Sequence, residues 1–174
     1  GKLDVAVTVN ISIRQFLQAE LVELVSRALE KSGLPPNSLI LEITESFMMQ
    51  DTESTIEKLH ELKKLGVRLA IDDFGTGYSS LSYLQRFPID ILKIDKSFID
   101  KLGQGSEGNA VAKAIIMMGD SLNLKTIAEG IEHPEQISEL QLLGCEAGQG
   151  FHFAKPLTVG DMDEFLRDRQ RSEA

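Results

Sequence analysis

The residues in this chain that could do chemistry are mostly acidic, and two of them are adjacent. Leu69 to Leu81 reads LAIDDFGTGYSSL. An apolar run ends in Asp72 and Asp73, and a flexible Phe-Gly-Thr-Gly follows. Neighbouring carboxylates repel unless something positive sits beside them. Other polar residues stand at matching places in other apolar runs. Asn10 comes late in DVAVTVNI, Glu42 lies in LILEIT, Lys93 in ILKI, Glu129 ends KTIA, and Gln149 lies in EAGQGFHF. Asn, Asp and Glu offer oxygen ligands, which suit Mg²⁺ or Mn²⁺. No His or Cys cluster suggests zinc, and His60, His133 and His152 read as surface or packing residues. With two ions roughly 3.5–4 Å apart, one aspartate can bridge while its neighbour completes a shell. Such a pair activates a water and clamps a phosphoryl oxygen for in-line attack. Lys93 would add a fixed positive charge, and Glu129 could accept the proton of the water.

These side chains need elements to position them, and the pattern along the chain alternates. Strands are expected at Asp4–Ile11, Leu39–Thr44, Arg68–Ile71, Ile91–Ile94, Lys125–Ala128 and within Glu146–Phe153. Helices are expected at Phe16–Glu30, from Asp51 or Thr52 to Leu65, at Leu81–Arg86, at Ala110–Leu122 and at Pro134–Leu143. Thr158 with Asp161 resembles a capping box that opens a last helix. Gly103–Gly108 reads as a glycine-rich loop. Met117 and Met118 read as core, and Lys63-Lys64 as a solvated helix face. Alternation of this kind argues a parallel sheet with six βα units, either doubly wound or a (β/α)8 barrel. A whole barrel takes roughly 250 residues and eight units, so six would be a barrel lacking its first two. In a parallel fold, polar residues at the C-terminal ends of the strands converge on one cleft. Adjacent side chains of a strand point to opposite faces. Asp72 and Asp73 therefore share a site only if the chain bends, and Gly75 and Gly77 permit that.

The chain has 174 residues, 42% of them hydrophobic and 26% charged, which fits one domain with its own core. The formal net charge of −9 argues against a nucleic-acid polymer as partner. It does not oppose a small phosphate ligand, because bound cations reverse the local sign. No apolar run approaches the roughly 20 residues of a membrane helix. The single Cys145 rules out an internal disulfide and fits a reducing compartment. The chain starts without Met and reads as a piece of a longer one.

Six motifs then carry a resemblance. They are VNISIRQF (Val9 to Phe16), EITES (Glu42 to Ser46), DDFGTGYSSL (Asp72 to Leu81), KIDKSF (Lys93 to Phe98), AEGIE (Ala128 to Glu132) and GQGFHFAKP (Gly148 to Pro156). In this order they resemble the EAL-domain family, bacterial cyclic di-GMP phosphodiesterases. The resemblance implies a (β/α)8 TIM-type barrel of the EAL kind over residues 1–174, the C-terminal three quarters of the domain. It implies Mg²⁺- or Mn²⁺-dependent cleavage of cyclic di-GMP to linear pGpG, with two ions. By motif position Asn10, Glu42, Asp72 and Asp73 resemble metal ligands. Glu129 resembles the catalytic base or a further ligand, and Lys93 the lysine that holds the attacking water or a phosphate. Gln149 matches a late active-site glutamine and Glu132 a glutamate behind the ligands. Glu45 matches the anchor of the loop Phe74 to Ser80, used for metal affinity and dimer signalling. The resemblance also implies a homodimer, an upstream sensor or GGDEF domain, and a cytoplasmic location, alone or as the cytoplasmic part of a larger membrane protein. The Glu-Ala-Leu motif that names the family is absent, along with the metal ligand and the phosphate-binding arginine that accompany it.

Plainer readings stand beside these. Asp72-Asp73 could be a turn with a helix cap, and Glu42 and Glu45 a solvated strand exit. Asn10 could be a strand-end polar residue, Gln149 a loop amide, and Glu132 a charge that favours the N-terminus of the next helix. Lys93 could be a surface lysine, yet Ile91, Leu92 and Ile94 flank it, and a buried lysine needs a partner. A function of another class is a non-catalytic cyclic di-GMP receptor using the same pocket. Exposed strand edges of an open barrel could also drive self-association.

Overall fold

The computed structural model describes residues 5–48, 53–77, 84–103 and 106–172. Six strands form one sheet: β1 (Val7–Asn10), β2 (Leu39–Thr44), β3 (Arg68–Phe74), β4 (Ile91–Ile94), β5 (Lys125–Ala128) and β6 (Ala147–Gly148). They pair in chain order, every pair parallel. A doubly wound sheet reverses its strand order at a switch point, and this one does not. The sheet is the wall of a curled half-barrel of the TIM type.

The helices run between the strands and, at the end, after the last one. They are α1 (Ile13–Phe16), α2 (Leu21–Ser32), α3 (Glu45–Met48), α4 (Glu53–Lys64), α5 (Lys96–Ile99), α6 (Ser106–Ser121), α7 (Pro134–Leu142) and α8 (Val159–Ser172). Period two along each strand divides the apolar residues between two cores. Leu39, Leu41, Ile43, Leu69, Ile71, Leu92 and Ile94 join the larger core, together with helix residues such as Val25, Leu59 and Ile116. Ile40, Ala70 and Ile91 form a second, smaller cluster with Ile127 packed against it. Those four residues lie on the other face of the sheet, the concave side of the wall. Lys63 is not simply solvated: it pairs with Asp90 at 2.7 Å, and Asp90 also accepts the Leu69 N–H, which ties α4 to the strand starts.

Several boundaries differ from expectation. β1 is shorter than Asp4–Ile11. The helix expected over Phe16–Glu30 is two helices. A capping box of Ser12 and Gln15 starts α1 early, and Lys58 ends it by donating to the Phe16 and Gln18 carbonyls at 2.9 and 3.1 Å. The expected loop Gly103–Gly108 is partly helix, since α6 begins at Ser106. Gly108 costs a helix only about 1 kcal/mol against Ala, and Asn109 secures the turn by accepting the Gly103 N–H. Met117 is exposed on α6, while Met118 packs on the core. The expected caps at Asp51 or Thr52 and the first half of the expected helix Leu81–Arg86 lie outside the described residues.

Candidate active site

The site stands one layer above the small interior cluster. Two residues beyond Ile40, Ala70, Ile91 and Ile127 come Glu42, Asp72, Lys93 and Glu129. Each chain segment thus sends an apolar side chain into the barrel and then a charged one near its C-terminal end. Lys93 is the centre. Its Nζ lies 2.9 Å from Glu42 Oε2, 2.7 Å from Asp72 Oδ1 and 2.6 Å from Glu129 Oε1. Burial works against its charge, but hydrogen bonds to Asp72, Glu129 and Glu42 outweigh that and hold its pKa well above the usual lysine value.

The adjacent aspartates share the site through a bend at Asp73 itself, two residues before the first of the glycines. Asp73 has φ 54°, and the register of β3 on β4 shifts between Ile71 and Phe74. This is a β-bulge, which re-aims a side chain that a regular strand would send to the far face. Asp is among the few non-glycine residues that enter the left-handed region with any frequency. As a result Asp72, Asp73 and Glu129 each place a carboxylate oxygen within 4.8 Å of the others.

Crowding appears in the protonation of the acids. Burial pushes Glu129 up to about 7, with Lys93 pulling down and Asp72 pushing up. Burial, then Asp72 and Asp95, raises Asp73. Gln149, the residue after β6, donates to Glu129 Oε1 at 2.6 Å. Glu42 Oε1 is buried with no hydrogen-bond partner among the described residues. A carboxylate oxygen left this way is costly unless a cation takes it. The donors are carboxylates, with the amide of Asn10 at the strand end beside Glu42, so the residues fit a hard divalent cation.

The remaining residues take separate places. Asn10 is exposed and pairs in register with Glu42. Glu45 is buried and accepts the N–H of Gly75 at 2.8 Å and of Gly77 at 3.0 Å, fixing the start of the Asp73–Gly77 turn. The rest of the loop to Ser80 lies outside the described residues. Glu132 is not part of the Asp72–Asp73–Glu129 cluster and reaches Lys96 at 3.3 Å, which also binds Asp100 at 2.6 Å. Two residues enter that the sequence reading passed over. Asp95 caps α5 by accepting the Ser97 N–H, and it faces Asp73. Its signal was an Asp between an apolar strand and a helical run. Gln136 is buried in the first turn of α7, and its signal was a glutamine three residues past an N-cap.

Comparison with known proteins places the same segments in a family. The model described as "EAL domain" matches residues 2–156. Cyclic di-GMP phosphodiesterase NbdA of Pseudomonas aeruginosa is 46% identical over 161 residues, 92% of this chain and 21% of NbdA. The bifunctional diguanylate cyclase/cyclic di-GMP phosphodiesterase MucR of the same organism is 46% identical over 157 residues, 90% of this chain and 23% of MucR. The solved complex of PaMucR phosphodiesterase with c-di-GMP superposes with a TM-score of 0.85 at 44% identity, over 90% of this chain and 64% of that one. A manganese/cy-diGMP complex of Klebsiella pneumoniae BlrP1 gives 0.80 at 30%, over 87% and 39%. The chain spans about a fifth of the length of these curated relatives.

Proposed function

The chain belongs to the EAL domain family, and from that premise we propose that it is the C-terminal three quarters of a domain that hydrolyses cyclic di-GMP to linear pGpG. The observation that carries this reading is the gathering of Glu42, Asp72 and Glu129 around Lys93, with Asp73 turned in beside them. The c-di-GMP bound to PaMucR, at 44% identity, supports the substrate.

Asn10, Glu42, Asp72, Asp73 and Glu129 would hold one or two Mg²⁺ or Mn²⁺ ions. Such ions, when bound, polarise a phosphoryl oxygen and acidify a water. The manganese in the BlrP1 complex supports this cofactor class. Lys93 offsets part of the acid charge and fixes the orientation of Asp72 and Glu129. Glu129 accepts the proton of the attacking water; burial raises its pKa when no ion is bound, and a cation beside it would favour the charged form that a base needs. Gln149 donates to the same oxygen, Glu129 Oε1, that Lys93 holds. Glu45 keeps the bulged turn in shape so that Asp73 stays turned inward. In the whole protein we expect a sensor or GGDEF domain upstream, a homodimer and a cytoplasmic location; MucR, by its name bifunctional, supports a multidomain setting. No helix among the described residues is long and apolar enough to cross a membrane.

The test is pGpG formation from cyclic di-GMP with Mg²⁺ or Mn²⁺, using the chain extended by its native upstream sequence. Metal-dependent turnover supports the proposal. Ligand binding that survives chelation, without turnover, replaces it with the receptor reading.

A further inference from the structure

We propose that Gln136 is a positioning residue for Glu129: its side chain fixes the loop Glu129–His133 and ties it to the helix that follows Lys93. The inference rests on the reading of Glu129 as the base. Gln136 is buried although it sits in the first turn of α7. Its Oε1 accepts the N–H of Glu132 at 2.8 Å and of His133 at 2.9 Å. Its Nε2 donates to the Ile99 carbonyl at the end of α5, at 3.2 Å. Two N–H donors on one side and a carbonyl on the other determine which way the amide points. A glutamine at this helix position ordinarily reaches back only to the N-cap N–H. This one also takes the N–H before it and crosses to another element.

The loop is fastened on its other sides by backbone. Glu129 N–H donates to the Ile94 carbonyl at 3.1 Å. Ile131 donates to the Gln149 carbonyl at 3.0 Å and accepts the His152 N–H at 2.9 Å. A side chain on Gly150 would overlap the Ile131 backbone, so only glycine lets the β6 loop lie this close. The tie to α5 is different, because it depends on side chains. One is the Lys96–Glu132 pair, which is about 40% exposed and therefore worth little. The other is Gln136, buried and using all three bonds. α5 opens at Asp95, two residues past Lys93, so Gln136 joins the segment carrying Glu129 to the one carrying Lys93. Those two side chains meet at 2.6 Å, a distance that tolerates little drift.

The experiment compares Gln136→Met, which keeps the length but makes none of the bonds, with Gln136→Glu, which keeps the acceptor and loses the donor. Both are made in the chain with its native upstream sequence. The readouts are kcat and KM for cyclic di-GMP with Mn²⁺, amide hydrogen exchange of Glu132 and His133, and affinity for Mn²⁺ alone. In Gln136→Met, exchange of both amides should speed up, and kcat should fall about tenfold to a hundredfold with KM little changed, as misplacement by an ångström can cost. Gln136→Glu should restore amide protection and most of kcat. A merely structural glutamine would lower the melting temperature of both variants and leave kcat intact well below it, which would overturn the proposal. If the unmodified protein does not cleave cyclic di-GMP, the functional reading falls by itself. Mn²⁺ affinity then decides: weaker binding in Gln136→Met sustains the positioning role, and unchanged binding ends it.

Discussion

Glu129 is pulled in opposite directions. Burial and Asp72 favour its neutral form, and Lys93 favours its charge, with the balance at about 7. Without metal the folded state therefore binds a proton that the unfolded chain, near 4.5, releases. Its contribution to stability is full below about 4.5 and is lost as pH rises through about 7. Thermal melts with a chelator should show this fall, and Glu129→Gln should flatten it while lowering turnover about 10²- to 10⁴-fold. Cations compete for the same oxygens, and both Asp73 and Glu129 are raised, so titration calorimetry should find Mn²⁺ binding that releases protons and tightens from pH 6 to 8. Lys93 is the counterpart. Lys93→Met leaves Glu42, Asp72 and Glu129 without their shared cation, a change expected to cost about 3–5 kcal/mol. Denaturant unfolding should measure that loss, with Mn²⁺ restoring part of it.

At the scale of elements, the bulge in β3 brings Asp73 to the site. Asp73→Gly suits φ 54° and removes only the carboxylate, so it should keep stability and lose Mn²⁺ affinity. Asp73→Ala should lose affinity and about 1–2 kcal/mol of stability as well. Glu45→Ala leaves the Gly75 and Gly77 N–H groups without their acceptor, at about 1–3 kcal/mol for a buried donor. Glu45→Gln keeps an acceptor and should cost less in the same unfolding measurement. The layered site was legible in the sequence because period two is strict: Ile40 and Glu42, Ala70 and Asp72, Ile91 and Lys93, Ile127 and Glu129 differ by two. β2, β4 and β5 lie where their apolar runs stand. The bend at Asp73 was not legible, because a left-handed aspartate leaves no local mark beyond the glycines after it. Nor was the break between α1 and α2, which depends on Lys58 arriving from some forty residues away. Gln136 looked like a helix-start residue because Ile99, its third partner, is remote in the chain.

Across the whole molecule, the half-barrel has two open margins among its described strands. On one side β1 is exposed throughout, with Val5, Val7 and Val9 accessible; on the other lie β6 and the exposed Phe151 and Phe153. Unpaired apolar edges invite pairing with other chains. The 174-residue chain should therefore self-associate with concentration in sedimentation velocity, and its native upstream sequence should suppress that and raise the melting temperature. The same extension bears on chemistry, since no Glu-Ala-Leu sequence occurs in these residues and the proposed reading places that motif upstream of them. The most direct measurement is pGpG formation by both chains with Mn²⁺ or Mg²⁺. The account predicts cleavage by the extended chain, abolished by a chelator and by Glu129→Gln. No cleavage, with cyclic di-GMP still bound after chelation, would contradict it.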